Sequence, residues 1–218
     1  MTVGVLSVAA ALLWLLWLPH FRPSLEPGEE YGIDVSHHQG RIDWQRVRDD
    51  GISFAYIKAT EGGDWVDPRF ETNWKEAGDA GLRRGTYHFF TLCRAGEAQA
   101  NHFLGVLPGD EAALPPAVDL ELKGNCSARP SQIAVRNELD RFVQLVEAEL
   151  DRILILYVGD DFEDAYPTKG RLGRPLWQLS FLRRPADDWA VWQVMGYAHV
   201  AGIDGDVDLN VMRAGIAA

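Results

Sequence analysis

The sequence predicts an α/β fold, an irregular and partly stripped (β/α) barrel. Short β-like runs alternate with amphipathic segments after Tyr31, which is typical of βα units and a mainly parallel sheet. Eight strand candidates match the strand number of a (β/α)₈ barrel, but residues 31–218 are fewer than such a barrel usually has. The last three strand candidates leave little room for helices between them. An open doubly wound sheet is the alternative, although no Gly-rich phosphate loop follows the first strand.

The strand candidates share β-branched or aromatic residues bounded by turn residues. In chain order they read "YGIDVS", "ISFAYIKAT", "RRGTYHFF", "PPAVDLEL", "RILILYVG", "PLWQLSF", "AVWQVM" and "GDVDLNVM". The helix candidates between the first five read "DWQRVRDDG", "DPRFETNWKEAGDAGL", "AGEAQANHFLGVL" and "SQIAVRNELDRFVQLVEAELD". Gly51 and Gly81 follow the first two of these, where a glycine commonly ends a helix.

The first 30 residues differ from the rest. Residues 1–18 contain a run without a charge, Val3 to Leu18, which as a helix would span roughly 24 Å against a hydrocarbon core of roughly 30 Å. The run is either a short uncleaved anchor or a signal-peptide core. The anchor is favoured, because no Lys or Arg precedes the run and no small-x-small cleavage site follows it before Tyr31. Residues 19–30, with three prolines, are expected to form a tether, and residues 31–218 the folded domain.

The composition restricts compartment and partners. The protein is expected to be exported to the periplasm or the cell exterior. Residues 3–18 are a candidate anchor in the inner membrane, and the protein is expected to contact a membrane only through them. The formal net charge of −11 without a Lys/Arg cluster argues against nucleic acid as a partner. The two cysteines, Cys93 and Cys126, follow neighbouring strand candidates, so they are expected to form a disulfide at one end of the barrel.

Four carboxylates are candidate catalytic groups. Asp119 and Glu121 share one face of "VDLEL", whereas the apolar residues take the other face. Asp34 ends the apolar part of the first strand and Asp208 lies on the last strand, which neighbours the first in a closed barrel. A single aspartate at a strand end more often caps a turn, but a pair of inward-pointing acids is hard to satisfy structurally.

Two chemistries suit such a cluster. Crowded carboxylates differ in pKa, and an acid beside an anion is what cleavage of a glycosidic bond requires. A carboxylate site for Mg²⁺ or Ca²⁺ is the competing interpretation. The aromatic residues at the strand ends favour a sugar, because their flat faces carry polar groups at the edge.

The motifs "GIDVSHHQG", "YIKATEG", "GTYHFF", "VDLE", "YVG", "VWQ" and "GIDGDVDLN" occur in the order seen in the glycoside hydrolase family twenty-five lysozymes. The chain resembles these N-acetylmuramidases of the Chalaropsis type from about Tyr31 to Arg213. The resemblance implies a flattened (β/α) barrel with shortened helices in its C-terminal part. It also implies cleavage of the β-1,4 bond between MurNAc and GlcNAc of peptidoglycan, by a monomer without a metal or other cofactor.

The resemblance also suggests roles for individual residues. Glu121 corresponds to the general acid, and Asp119 to the group that orients the 2-acetamido group of the substrate. Asp34 and Asp208 correspond to two further active-site carboxylates. Six residues fall where the family lines its substrate groove: Lys58, Tyr87, Phe89, Tyr157, Trp177 and Gln193.

The residues themselves leave several of these roles open. Lys58 lies in an apolar strand and is either a charge partner of the acids or a snorkelling surface residue. Tyr87 and Phe89 would look the same as core packing. His37 and His38 are interpreted as structural, because neighbouring strand residues point in opposite directions and no third metal ligand lies at a suitable spacing.

The seventh strand departs from the family pattern. Family members often carry a Trp-Ile-Ala-x-Tyr-like run there, whereas this chain has "LWQLSF", with Trp177 kept and Gln178 and Phe181 in place of the usual types. The departure concerns the groove and not the acid pair. The chain could also be an inactive relative that only binds glycan, although a binding protein has no need of all four carboxylates.

Overall fold

A computed structural model describes Trp14 and residues 16–216. The sheet contains all eight predicted strands and one short additional strand. In chain order the strands are β1 Glu30–Val35, β2 Phe54–Glu61, β3 Trp65–Val66, β4 Arg83–Phe89, β5 Ala117–Leu120, β6 Ile155–Val158, β7 Leu176–Leu179, β8 Val191–Ala198 and β9 Val207–Met212.

The sheet closes into a barrel through the pairing of β1 with β2. Its strand order is β1-β9-β8-β7-β6-β5-β4-β2, with the two-residue β3 on the edge of β2. The structure therefore confirms the predicted barrel. The sheet is mixed, because β9 runs antiparallel to both of its neighbours, β8 and β1. This direction brings the first residues of β9 to the barrel end at which the parallel strands finish.

Helices are fewer and shorter in the C-terminal part, as predicted. Where the structure describes the chain after the first strand, its α-helices are α1 Trp44–Asp49, α2 Phe70–Asp79, α3 Gly96–Val106, α4 Gln132–Leu150, α5 Asp160–Ala165 and α6 Lys169–Leu172. The connections from β7 to β8 and from β8 to β9 contain no described helix. Gly51 and Gly81 follow α1 and α2 with φ of 85° and 81°, the left-handed conformation that ends a helix.

Two apolar layers hold the barrel. Outside the sheet, Val118 and Leu120 of β5 pack with Leu139 and Phe142 of α4 in a fully buried core. The interior is filled by a second set: Phe54, Tyr56, Tyr87, Leu114, Ala117, Ile155, Trp177, Val191 and Met212. Because strand residues alternate between these layers, Asp119 lies on the inner side, as its sequence pattern predicts.

The predicted disulfide is confirmed. Cys93 and Cys126 are bonded, with their Cα atoms 6.2 Å apart. They lie on the loops that follow β4 and β5, and Asn125 joins the same loops by accepting a hydrogen bond from the N–H of Leu92 at 2.9 Å.

The segment expected to be a tether contacts the barrel. The backbone N–H of His199 donates to the carbonyl of Pro19 at 2.8 Å, and Arg184 donates to the carbonyl of Ser24 at 3.0 Å. The Glu29 carboxylate is buried and forms an ion pair with Arg184. Residues 19–29 are thus held at several points, and β1 begins at Glu30, one residue before the predicted domain start.

The predicted signal or anchor segment, residues 1–18, falls mostly outside the described residues. Leu18–His20 form a 3-10 helix, and Trp14, Leu16 and Trp17 have exposed side chains. Of the helices in the described residues, none has both the length and the apolar character needed to cross a membrane.

Candidate active site

A cleft of about 240 Å³ opens at the end of the barrel where the parallel strands finish. Eight of the ten side chains predicted from the sequence line it: Asp34, Tyr87, Asp119, Glu121, Tyr157, Trp177, Gln193 and Asp208. All four predicted carboxylates therefore meet in one cleft.

The sheet register places these acids. Asp119 is the third residue of β5, and Glu121 directly follows the strand, so both reach the cleft from its end. Asp34 near the end of β1 pairs in register with Asp208 near the start of β9. Only the antiparallel direction of β9 allows an aspartate at the beginning of a strand to reach the same end of the barrel.

Asp119 is half-buried and incompletely hydrogen-bonded. Its Oδ1 atom is buried and has no hydrogen-bond partner among the described residues. Burial and then the negative charge of Glu121 raise the pKa of Asp119 well above its usual value, while the Lys58 ammonium acts in the opposite direction. A buried acceptor without a partner is costly, and here it faces a cleft that a ligand can enter.

Glu121 is the less deeply buried member of the pair. Burial raises its pKa, followed by the negative charges of Asp161 and Asp208, whereas Lys123 and a hydrogen bond from Tyr157 lower it. Both the shift and the partial exposure suit a group that holds a proton near neutral pH and can pass it to a bound molecule.

Asp34 and Asp208 form a second carboxylate pair. Burial raises the pKa of both, well above the usual value for Asp34, where the Asp208 charge adds to the effect. The pKa of Asp208 rises to about 6, since hydrogen bonds from Gln193 and Asp34 offset part of the effect of burial. Both groups therefore hold a proton to higher pH than ordinary aspartates do.

Three aromatic side chains line the cleft. Trp177 lies between Tyr56 and Tyr157, with ring centroids 4.9 Å and 5.7 Å away. Burial and the surrounding acids raise the pKa of Tyr87 and Tyr157, so both hydroxyls stay protonated and can donate hydrogen bonds. The cleft thus combines flat apolar faces with donors and acceptors, as a sugar site requires.

Lys58 and Phe89 are not among the residues that line the cleft. Lys58 is buried, pairs with Glu61 at 2.7 Å and lies 4.8 Å from the ring centroid of Phe89. Of the two interpretations of Lys58, a charge partner of the acids fits better, because its charge lowers the pKa of Asp119. Phe89 is a buried neighbour of Lys58.

Sequence reasoning missed several residues of the site. His38 lines the cleft together with Ser36 and Gln39, whereas His37 pairs through Nδ1 with Asp67 at 2.9 Å. The two histidines lie in a 3-10 helix and not on a strand, with their ring centroids 4.0 Å apart, so the expected opposite directions were wrong. The structural interpretation fits His37 better than His38. Their position directly after the Asp34 strand end was the available signal.

Asn210 was also missed. It is fully buried, accepts the indole N–H of Trp177 at 2.9 Å and donates to Asp34 at 2.7 Å. Asn210 ends the "GDVDLN" stretch, but its two partners come from β7 and β1, so nothing local in the sequence indicates its contacts. No group of three or more His, Cys, Asp or Glu residues within the described range has an arrangement suited to a metal ion.

Comparison with known proteins identifies the family. Residues 33–205 match the model of glycosyl hydrolases family 25. The matched range includes Asp34, Asp119 and Glu121 and ends just before Asp208. The chain belongs to glycosyl hydrolases family 25. It is therefore a glycoside hydrolase, and the family predicted from the sequence motifs is confirmed.

Relatives of this family 25 enzyme include lysozymes. Lysozyme M1 of Streptomyces globisporus is 33% identical over 201 residues, which cover 85% of this chain and 68% of that protein. The uncharacterized protein YegX of Escherichia coli is 38% identical over 195 residues, covering 84% of this chain and 69% of that protein.

A solved structure confirms the fold. A family 25 glycosyl hydrolase from Bacillus anthracis aligns with a TM-score of 0.78 at 32% identity, over 88% of this chain and 93% of that one. The α/β flattened barrel with few, short helices is thus shared with solved members of the family.

Proposed function

We propose that this family 25 enzyme is an N-acetylmuramidase that cleaves the β-1,4 bond between MurNAc and GlcNAc in peptidoglycan. The observation that carries the proposal is Oδ1 of Asp119, which lies beside Glu121 and has no hydrogen-bond partner in the described part of the chain. The pair offers a carboxyl group with a raised pKa and a buried acceptor that lacks a donor. The 2-acetamido group on each sugar of peptidoglycan contains such a donor, its N–H.

Glu121 is the proton donor in this proposal. Its proton goes to the glycosidic oxygen, so the bond from that oxygen to the anomeric carbon breaks and the leaving sugar departs with a hydroxyl group. The raised pKa of Glu121 favours the protonated carboxyl group before the reaction. Its carboxylate then takes a proton from a water molecule whose oxygen bonds to the anomeric carbon, while the bond that the acetamido oxygen had formed to that carbon breaks.

Asp119 assists the substrate's own nucleophile. The acetamido carbonyl oxygen attacks the anomeric carbon, and the acetamido nitrogen becomes positively charged as the ring forms. An N–H donated to Oδ1 of Asp119 orients this group and favours the ionised carboxylate, which stabilises the developing charge. The substrate thereby supplies the partner that Oδ1 lacks among the residues that the structure describes.

Asp34 and Asp208 provide further negative charge. They lie across the cleft from the β5 pair, and Gln193 donates to Asp208. Oε1 of Gln193 is also buried without a partner in the described part of the chain, so it is available to accept a hydroxyl or amide proton of the sugar. Tyr87, Tyr157 and Trp177 form the walls against which sugar rings lie.

The cellular setting follows from the substrate. Peptidoglycan lies outside the cytoplasmic membrane, and the disulfide suits an oxidising compartment there. We assign the enzyme to the periplasm or the cell exterior, acting as a monomer on glycan strands. Residues 1–18 serve as the export signal or anchor, and residues 31–218 as the catalytic domain.

The test is the digestion of purified peptidoglycan followed by mass spectrometry of the soluble products. A muramidase produces fragments with MurNAc at the new reducing end, and an excess of a metal chelator does not slow their release. The Glu121→Gln variant is the matched control and should release almost none. Fragments that end in GlcNAc, or binding of glycan by the wild type without release, would contradict the proposal.

A further inference from the structure

Two exposed apolar side chains and a half-buried tyrosine lie together beside the cleft. Leu179 at the end of β7 is 56% exposed, and Phe181 two residues later is 50% exposed. The ring of Tyr197 on β8 lies 5.7 Å from that of Phe181. We call Leu179, Phe181 and Tyr197 the aromatic rim. Large apolar side chains grouped on a surface commonly mark a binding site.

The backbone holds the aromatic rim in a fixed position. The N–H groups of Ser180 and Leu182 donate to the carbonyls of Gln193 and Val194, both at 3.0 Å. The Ser180 carbonyl accepts the indole N–H of Trp192 at 2.8 Å. These bonds keep Leu182 at φ 54°, a left-handed conformation that is unfavourable for leucine. Strained backbone conformations cluster at functional sites. This one directly follows Phe181, whose side chain is exposed to solvent.

The aromatic rim continues the wall of the cleft. Leu179 pairs in register with Gln193, which lines the cleft and donates to Asp208. Gly196 faces Asp208, since a Cβ atom there would be 3.0 Å from Oδ1. Tyr197, the next residue, therefore takes the other side of β8, where it packs against the core outside the sheet and contacts the ring of Phe181. The rim therefore adjoins the cleft wall through Leu179, which lies beside Gln193.

The cleft alone is too small for a polymer. Its volume of about 240 Å³ is below the roughly 300–1,000 Å³ of sites that hold ligands of a few rings. Sugars on either side of the cleaved bond must therefore lie on adjoining surfaces. On the side of β7 and β8, that surface is the aromatic rim.

We propose that the aromatic rim is a glycan-binding subsite, on which the apolar C–H face of an N-acetylhexosamine ring stacks against Phe181. This inference rests on the proposed function, because it assumes that the substrate is a glycan strand. It concerns affinity for long strands and not the chemical step. A protein or membrane partner for the rim would be a different outcome of the test below.

The test compares Phe181→Ala with Ile153→Ala. Ile153 is 58% exposed and lies just before β6, at the opposite end of the barrel. On purified glycan strands of many disaccharides, Phe181→Ala should raise KM by about threefold to tenfold and leave kcat nearly unchanged. Phe181→Tyr should restore the wild-type KM, and Ile153→Ala should have no effect. On the shortest strand that is cleaved, the effect of Phe181→Ala should be smaller.

Two kinetic results and one binding result would overturn the subsite. One is an unchanged KM for long strands in Phe181→Ala at an unchanged melting temperature. The other is a lower kcat with the KM unchanged, which would indicate a disturbed cleft. Retained kinetics together with lost binding to phospholipid vesicles would assign the rim to a membrane and also overturn the proposal.

A second measurement separates this inference from the proposed function. Binding of the same strands to Glu121→Gln, with and without Phe181→Ala, is followed by tryptophan fluorescence. If the wild type does not cleave peptidoglycan, the proposed function fails. If it does cleave, and Phe181→Ala leaves strand affinity unchanged in the Glu121→Gln background, only the subsite fails.

Discussion

Asn210 donates a hydrogen bond from Nδ2 to Oδ2 of Asp34 at 2.7 Å. The orientation of its amide is fixed from the other side, where Oδ1 accepts the indole N–H of Trp177 at 2.9 Å. An indole N–H can only donate, so the carbonyl of the amide must face Trp177 and the NH₂ must face Asp34. A donor at this position favours the ionised form of Asp34, against burial and the charge of Asp208.

Trp177→Phe should weaken catalysis by about tenfold to a hundredfold. The substitution keeps a ring between Tyr56 and Tyr157 but removes the N–H, which frees the amide of Asn210 to turn its oxygen toward Asp34. Loss of a hydrogen bond to a charged group costs about 1.5–3 kcal/mol. The pKa of Asp34 should rise, so the acidic limb of the pH profile of kcat/KM should move to higher pH.

Trp189→Phe is the matched control for that variant. Trp189 is buried, and its indole N–H has no hydrogen-bond partner in the described residues, so the same substitution removes no bond. Its kinetics should match the wild type. A Trp177→Phe enzyme with wild-type kcat/KM and an unmoved acidic limb would show that Asn210 does not control Asp34.

Glu121→Gln should reduce the rate of reducing-end release by about 10²–10⁴-fold. The amide keeps the shape of the side chain but has no proton to transfer. Asp119→Asn should also be severe, because it removes the negative charge and keeps the hydrogen-bonding outline. Thermal unfolding of both variants should stay close to that of the wild type.

Glu97→Gln provides the control for Glu121→Gln. Glu97 lies on the surface and pairs with Arg141 at 3.0 Å, away from the cleft. It should keep full activity. A Glu121→Gln enzyme that retains more than about a tenth of the wild-type rate would refute the assignment, and the donor would then be sought among the other three acids.

The sequence predicts the strands and the acid pair because both depend on local pattern. Strand residues alternate between two environments, so Asp119 and Glu121 share one side whatever the rest of the fold does. The direction of β9 cannot be predicted from a local sequence pattern in this way. A strand has the same alternation in either direction, so only the pairing with β8 and β1 explains how Asp208 reaches the cleft.

Contacts between distant residues explain what the sequence did not predict. Asn210 gains its role from Trp177 and Asp34, which lie 33 and 176 residues away. Asp161 is exposed at the start of α5, and its effect on Glu121 depends on where the β6 connection lies. Strand β3 has only two residues, too few for a visible alternation.

Asp161→Asn should move the alkaline limb of the pH profile to lower pH. Glu121 must be protonated to donate, so activity is lost as the pH rises through its pKa. Burial and then the negative charge of Asp161 raise that pKa. Removing the charge lowers the pKa of Glu121, and the proton is then lost at a lower pH. The measurement is kcat/KM across the pH range at low ionic strength.

Asp164→Asn on the same helix is the control for Asp161→Asn. Asp164 is exposed and is not among the main causes of the Glu121 shift, so its removal should leave the limb in place. Added salt should shift the wild-type limb in the same direction as Asp161→Asn, because an exposed charge is screened. An alkaline limb that Asp161→Asn does not move would argue against Glu121 as the group that titrates there.

Removing the disulfide should lower the free energy of unfolding by about 3–4 kcal/mol, since it closes a loop of 33 residues. Activity should persist in part below the new melting temperature. Asn125 still joins the two loops, donating to the carbonyls of Phe90 and Glu121 at 2.8 Å and 2.9 Å. Denaturant unfolding of the Cys93→Ala/Cys126→Ala double variant measures the effect.

The reducing agent dithiothreitol supplies the control for the double variant. It should destabilise the wild type by a similar amount and leave the double variant unchanged. Equal unfolding free energies for the oxidised wild type and the double variant would mean that the bond constrains the unfolded chain little.

Removal of residues 1–29 should give a folded but less stable enzyme, whereas removal of residues 1–17 should leave stability unchanged. The longer deletion removes Glu29, whose carboxylate pairs with Arg184 at 2.9 Å, and the backbone carbonyls of Pro19 and Ser24. Lost hydrogen bonds to a charged group cost about 1.5–3 kcal/mol, so the melting temperature should fall by roughly 3–12 °C. Arg184 itself should stay in place, because its guanidinium also lies 5.4 Å from the ring centroid of Trp192.

Thermal unfolding of both deletions and of Glu29→Gln in the full chain separates the ion pair from the rest of the segment. If the longer deletion melts with the wild type, residues 19–29 contribute nothing to the barrel and act as the tether that their prolines predict.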